Sequence, residues 1–271
     1  MIRFLILAGY FELTMYLQLS GKLNQYINLH YSYLAYISMF LSFVLALVQL
    51  IIWVKQMKIH SHLSGFWAKV ASIFLLCIPL FVGLFFPTVT LDSQTVSAKG
   101  YHFPVAAGSS KEIQQDEGTT TQYLKPDTSS YFTKSAYESE MKQAAKKYVD
   151  KKVIQVTTEN YMEVMEVIYD YPDQFAGKTI ELTGFVYNDP NNKNSQFLFR
   201  FGIIHCIADS GVYGLLTTGA PQHFENNIWI HAKGTLSIEY HKQLKQSLPV
   251  LHISDCQTIT KPDNPYVYRV F

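Results

Sequence analysis

The hydrophobic pattern changes character along the chain. Residues 33–54 (YLAYISMFLSFVLALVQLIIWV) carry no charge in 22 positions, and residues 66–86 carry one, Lys69. At about 1.5 Å of rise per residue, each makes a helix of roughly 30 Å, the thickness of a bilayer's hydrocarbon core. Both are apolar on every face, so neither has a polar side to turn to water. Residues 2–19 form a shorter third candidate that carries Glu12 and Gln18. A cleaved signal peptide competes for that stretch, with Arg3 at its basic end. Against it, Glu12 breaks the apolar run, and Leu17-Gln18-Leu19 lacks the small residues of a cleavage site. The pattern predicts a membrane α-helical region of two to three spans over residues 1–87.

Residues 88–132 are polar and turn-rich, with YHFPV at 101–105 as the apolar exception. They read as a mobile tether. A helix is expected over 133–152, where Ser135 and Glu138 have capping-box spacing. Tyr137, Met141, Ala144, Ala145 and Tyr148 fall on one face of it, and lysines fill the other. A second helix is expected over 158–171, with Met162, Met165, Val167 and Ile168 as its apolar face. Strand patterns follow at 153–157, 179–187, 196–208, 212–218, 227–239 and 249–259. The cleanest alternation turns Ile228, Ile230, Ala232, Gly234, Leu236 and Ile238 one way, and Trp229, His231, Lys233, Thr235, Ser237 and Glu239 the other. TIELTGFV and WIHAKGTL each place a glycine in mid-strand, at 184 and 234, where strands bend or bulge around a small barrel. The expectation for residues 133–271 is a mostly-β, OB-like barrel with one or two helices.

Charge sharpens this division. Charged residues are 16% of the chain, below the roughly 25% of soluble domains. The first 90 residues hold five basic residues and one acidic, and the remainder 17 basic and 20 acidic. A net-acidic outer domain argues against nucleic acid as a partner; the lipid bilayer is the evident one. Lys55 and Lys58 lie between the second and third spans, with Lys69 just beyond, so that connection is expected to be cytoplasmic. The domain after residue 87 is then extracytoplasmic, in a multi-pass protein of the cell membrane. Glu12 is the one acidic residue at membrane depth, where a carboxylate is costly and calls for a partner or a role.

Candidate chemistry clusters in two places. His205-Cys206-Ile207-Ala208-Asp209 holds three ligand types in five residues, and His252-Ile253-Ser254-Asp255-Cys256 repeats the composition. On a continuous strand His252 and Cys256 share a face, as do His205 and Asp209. If the two strands neighbour each other, His205, Cys206, Asp209, His252 and Cys256 surround one soft cation such as Zn²⁺. The alternative is structural: a scaffolding envelope module with Cys206 and Cys256 buried or joined in a disulfide. Cys77 lies in the third span and reads as packing. No nucleophile elbow, phosphate loop, dinucleotide fingerprint or zinc-protease motif is present, so no catalytic residue is assigned and a non-enzyme is expected.

LTGFVYNDP, QFLFRFGIIHCIADSGVYGLL, DNPYVYRVF and the early run LSGKLNQYINLHYSYL resemble the YcgQ-like permease-subunit family of low-GC Gram-positive bacteria. The resemblance extends over nearly the whole chain. The family pattern is Arg-Phe, three residues, Cys-Cys, one residue, Ala-Asp. Arg200, Phe201, Cys206, Ala208 and Asp209 match it, and His205 stands in place of the first cysteine. That exchange keeps a metal ligand and removes a vicinal dithiol, which weakens a redox role and spares a metal-binding one. The resemblance implies an accessory subunit beside a separate multi-span permease subunit, with an outer domain that binds a solute or gates its partner.

Overall fold

A computed structural model describes residues 1–57, 65–86, 89–100, 134–190, 196–241 and 246–269. YHFPV, Lys58 and the side chains of Ser135 and Tyr137 lie outside the described residues. The chain forms two compact units, Met1–Thr90 and Leu91–Phe271.

The first unit is built from helices α1 (Ile2–Leu19), α2 (Ser32–Val54) and α3 (Phe66–Phe85). All three are long and apolar enough to cross a membrane. Two short 3-10 turns, Lys22–Gln25 and Leu29–Tyr31, join α1 to α2, and the Asn28 side chain caps the second by accepting from the His30 amide at 3.1 Å. Glycine brings α1 and α3 close. A Cβ on Gly83 would meet a Leu13 methyl at 2.8 Å, and one on Gly9 would meet Leu80 at 3.1 Å. Pro79 lies within α3. It cannot donate to the ladder, which loosens the turn before it. The Tyr10 hydroxyl of α1 donates to the Leu76 carbonyl at 2.9 Å, one residue on from the Leu75 carbonyl that Pro79 leaves without its ladder donor. Phe11 packs on Phe43 of α2 at 5.3 Å. Arg3, Trp53 and Lys69 line one cavity of about 940 Å³ among the three helices. The start of α1, the end of α2 and the start of α3 therefore lie at the same end of this unit.

The second unit contains α4 (Ser93–Lys99), α5 (Lys134–Val149), β1 (Val153–Gln155), α6 (Tyr161–Asp170), α7 (Pro172–Phe175), β2 (Thr179–Asn188), β3 (Gln196–Ile203), β4 (Gly211–Thr218), β5 (Trp229–His241), β6 (Gln246–Ile259) and β7 (Tyr266–Tyr268). Strands β2, β5, β6, β4 and β3 pair in that order, and β3 pairs back onto β2, closing a five-stranded barrel. Only the β4–β6 pairing in this ring is parallel. Counted along the chain the ring runs first, second, third, fifth, fourth, the Greek-key order of an OB-like barrel, as expected. β1 and β7 add in parallel outside it, on β2 and β3.

The mid-strand glycines sit where the barrel demands them. A Cβ on Gly184 would lie 2.7 Å from the Phe199 carbonyl oxygen, and one on Gly234 would lie 2.3 Å from the His252 oxygen. At Gly234 the β5–β6 register slips. Gly234 faces Ile253 and Lys233 faces Asp255, so Ser254 is an extra residue, a β-bulge.

Helices cover the barrel. On α5, Met141, Ala144, Ala145 and Tyr148 are buried, as the pattern predicted. On α6 the expected face, Met162, Met165, Val167 and Ile168, is buried, but so are Tyr161, Val164, Glu166 and Tyr169. α6 is thus an internal helix rather than a surface one.

Three expectations need correction. Residues 91–99 are not tether. Asp92 caps α4 by accepting from the Gln94 and Thr95 amides, Val96 is fully buried, and the Leu91 amide donates to the Tyr266 hydroxyl at 3.0 Å. The strand expected over 196–208 ends at Ile203, and a 3-10 turn, Ile207–Asp209, follows. The alternation of β5 fails at its start, where Trp229 is buried and Ile228 exposed. Trp229 packs against Phe185, and the Arg200 guanidinium lies 5.7 Å from its ring.

Candidate functional site

The five candidate ligands fall into two separate groups. In the first, the Asp209 carboxylate folds back over the turn that follows β3. It accepts from the His205 amide at 2.9 Å and the Cys206 amide at 3.0 Å, and pairs with His205 Nδ1 at 2.8 Å. His205 and Asp209 are therefore neighbours because of a capped turn and not because of strand alternation. Asp209 spends its oxygens on backbone donors, which makes it a turn-fixing residue first. Lys99 of α4 reaches the adjacent Ser210, donating to its carbonyl oxygen at 3.3 Å and its hydroxyl at 3.1 Å.

In the second group, His252 lies on the outer surface of β6. Its Nδ1 is hydrogen-bonded with the Thr218 hydroxyl at 2.8 Å. Its Nε2 is 2.8 Å from the Ser237 hydroxyl and 2.6 Å from a Glu239 oxygen. Cys256 does not share this face. It is paired opposite the fully buried Ala232, whereas His252 is opposite the exposed Thr235. The extra residue at Ser254 inverts the period between them. Cys256 packs against the core, and burial, followed by the nearby Asp255 charge, pushes its thiol above the ordinary cysteine range.

Strand β4 keeps the two groups apart. The His205–Asp209 turn precedes Gly211 at one end of β4, and His252 is paired with Thr218 at the other. Seven residues of strand, on the order of 20 Å, lie between. All three cysteines are free thiols, so no disulfide links Cys206 to Cys256. Among the described residues no three His, Cys, Asp or Glu side chains gather as a cation would require.

The residues that carry the Arg-Phe signature do something else. Arg200 is buried. Its Nε donates to the Pro265 carbonyl at 3.2 Å, and Nη2 donates to the Asn264 and Tyr266 carbonyls at 3.1 Å each. Nη1 donates to the Thr158 hydroxyl at 3.0 Å. The guanidinium also lies over the Tyr161 ring. Phe201 stacks on Phe185 at 5.6 Å. Arg200 thus fastens the tail and the entry to α6 onto the barrel. A second buried link ties the tail to α6: Arg269 Nη1 donates to Glu166 Oε1 at 2.8 Å. Burial lifts the Glu166 carboxyl to about 7, with Arg269 pulling it back only in part. The sequence signal for Glu166 was a carboxylate set directly between Met165 and Val167, inside an apolar run.

Glu12 is exposed on α1, with no partner for its carboxylate among the described residues.

Two family models match the chain. Residues 2–102 match the DUF1980 N-terminal domain, and residues 131–269 match the DUF1980 C-terminal domain. The chain is 68% identical, over all 271 residues and the whole of the relative, to a protein of Streptococcus mutans serotype c (strain ATCC 700610 / UA159) named "Putative two-component membrane permease complex subunit". It is 40% identical, again over the full length of both chains, to UPF0703 protein YcgQ of Bacillus subtilis (strain 168).

Proposed function

The chain belongs to the DUF1980 family, and from that premise we propose that it is a membrane-anchored, non-enzymatic subunit of a two-component permease. The observation that carries the reading is end-to-end identity with a relative whose name describes such a subunit. The architecture supports the division of labour. Three helices, with α1 packed on α3 through Gly9 and Gly83, are too few to enclose a solute pathway. A separate multi-span subunit supplies it.

In this reading the barrel stands on the extracytoplasmic side. Arg3, Lys55 and Lys69 belong to one end of the helical unit, and basic residues favour the cytoplasm. Three crossings then carry the chain out. The barrel acts on its partner as a docking or gating module. Its signature residues, Arg200 and Phe201, and its Glu166–Arg269 link brace the tail, and the candidate metal donors are dispersed, with His205, Cys206 and Asp209 before β4, His252 beside its far end and Cys256 opposite Ala232 of β5. His205 with Asp209, and His252 with Glu239, offer at most two donors each.

The test is affinity purification of the full chain from its own cells in mild detergent, with the co-purifying proteins identified by mass spectrometry. A stoichiometric multi-span membrane protein is expected. Recovery of the chain alone, under conditions that preserve other membrane complexes, overturns the reading.

A further inference from the structure

We propose that the exposed face of α1 around Glu12 is the intramembrane docking surface for the multi-span subunit, and that Glu12 meets a cationic or hydrogen-bond-donating side chain there. The inference rests on the permease-subunit reading and adds where the partner binds.

The buried side of α1 is already occupied. Gly9 packs against Leu80, Leu13 against Gly83, Phe11 against Phe43, and Tyr10 bonds to Leu76. Helical spacing sets Leu5, Glu12, Tyr16 and Leu19 along another stripe, and all four are exposed. Glu12 falls near the middle of an 18-residue span. A carboxylate at that depth, facing acyl chains, is expensive in either protonation state, because no water or donor satisfies its oxygens. The unit offers no relief: no hydrogen bond or ion pair reaches Glu12 among the described residues. Lys69, the basic residue of α3, lies in the cavity with Arg3 and Met1 at the end of the unit, two turns or more from Glu12 along α1. No described residue supplies the missing donor, a lipid headgroup does not reach mid-depth, and a helix of the partner subunit does. Charge complementarity commits the occupant to a transmembrane helix bearing Lys, Arg, His or a hydroxyl or amide donor. Leu5 and Leu19 supply the apolar contact around it, and Tyr16, whose hydroxyl accepts from Lys22 at 3.2 Å, closes the stripe towards the far end of α1.

The experiment uses the full-length tagged chain in its own cells. Glu12→Leu is expected to lower co-purification of the multi-span protein at least tenfold at equal amounts of chain in the membrane, whereas Phe40→Leu, on an exposed face of α2, leaves it unchanged. A photo-crosslinking residue at Leu5 or Tyr16, with Glu12 intact, is expected to join the same protein, and one at Phe40 is not. The crosslinks decide the matter even where Glu12→Leu fails to reach the membrane. Wild-type co-purification with no effect of Glu12→Leu, or crosslinks to lipid alone from Leu5 and Tyr16, overturns this inference and leaves the subunit reading standing. Failure of the wild-type chain to co-purify any multi-span protein removes both.

Discussion

Two buried tyrosines, Tyr169 of α6 and Tyr213 of β4, look alike in the sequence and differ in what they are owed. The Tyr169 hydroxyl donates to the Gly214 carbonyl and accepts from the Gly214 amide at 2.9 Å, so it satisfies both backbone groups of one residue. The Tyr213 hydroxyl is buried with no hydrogen-bond partner among the described residues. Removing a partner from a buried backbone group costs about 1–3 kcal/mol, while removing an orphan costs nothing. Tyr169→Phe should therefore destabilise the barrel domain by about 2 kcal/mol or more, and Tyr213→Phe should be neutral or stabilising. Urea unfolding of residues 91–271 separates them. Glu166 adds a pH dependence. Its folded carboxyl is lifted to about 7, above an unfolded value near 4.3. Between those values the unfolded chain has lost the proton and the folded chain keeps it, so this group's contribution to stability falls as pH rises and levels off above about 7. The stability of the wild-type domain relative to Glu166→Gln should drop by on the order of 2 kcal/mol between pH 5 and pH 8. An unchanged difference would show that Arg269 holds the carboxylate ionised throughout.

Elements were legible in the sequence where one periodicity ran unbroken. The helical spans, the α5 face and the glycine-bent strands of an OB-like barrel all follow from spacing. The candidate ligands failed to converge for a physical reason at one residue. Ser254 is bulged opposite Gly234, and a single extra residue turned Cys256 to the core while leaving His252 on the surface. The mid-strand glycine signalled that the strand would bend; it did not say which strand would carry the extra residue. Likewise, β3 ends at Ile203 because the Asp209 cap turns the chain, and alternation has no term for a side chain bonding to backbone. Trp229 broke its pattern because Arg200 and Phe185 cover it, a long-range packing effect that no local window contains. The bulge itself is testable. Gly234→Val, with its Cβ driven onto the His252 carbonyl, should destabilise by about 3 kcal/mol or prevent folding, whereas Thr235→Val, one residue on and exposed, should be tolerated. Circular dichroism melts of the two variants provide the comparison.

At the scale of the whole molecule the chain joins two solvents, and its function depends on which side of the membrane the barrel occupies. The three helices of Met1–Thr90 place Arg3, Trp53 and Lys69 around one cavity. With Lys55 just past α2, that end carries a basic excess, and the opposite end has Lys22. Reversing such a hairpin would set three cations against the positive-inside bias, while the barrel unit, with its acidic excess, exerts little pull of its own. If the barrel stands outside, as proposed, the full chain should lose it when protease is added to intact, wall-stripped cells, leaving a membrane-held fragment. A periplasm-active or surface-labelled reporter at the C-terminus should be reachable, and a cytosol-dependent reporter at the same place should be silent. Moving the basic excess across the hairpin, by Lys55→Gln with Lys58→Gln and Lys69→Gln and two lysines introduced beside Lys22, should make part of the population protease-resistant. A wild-type barrel untouched by external protease would place it in the cytosol, and the partner would then have to be engaged from within.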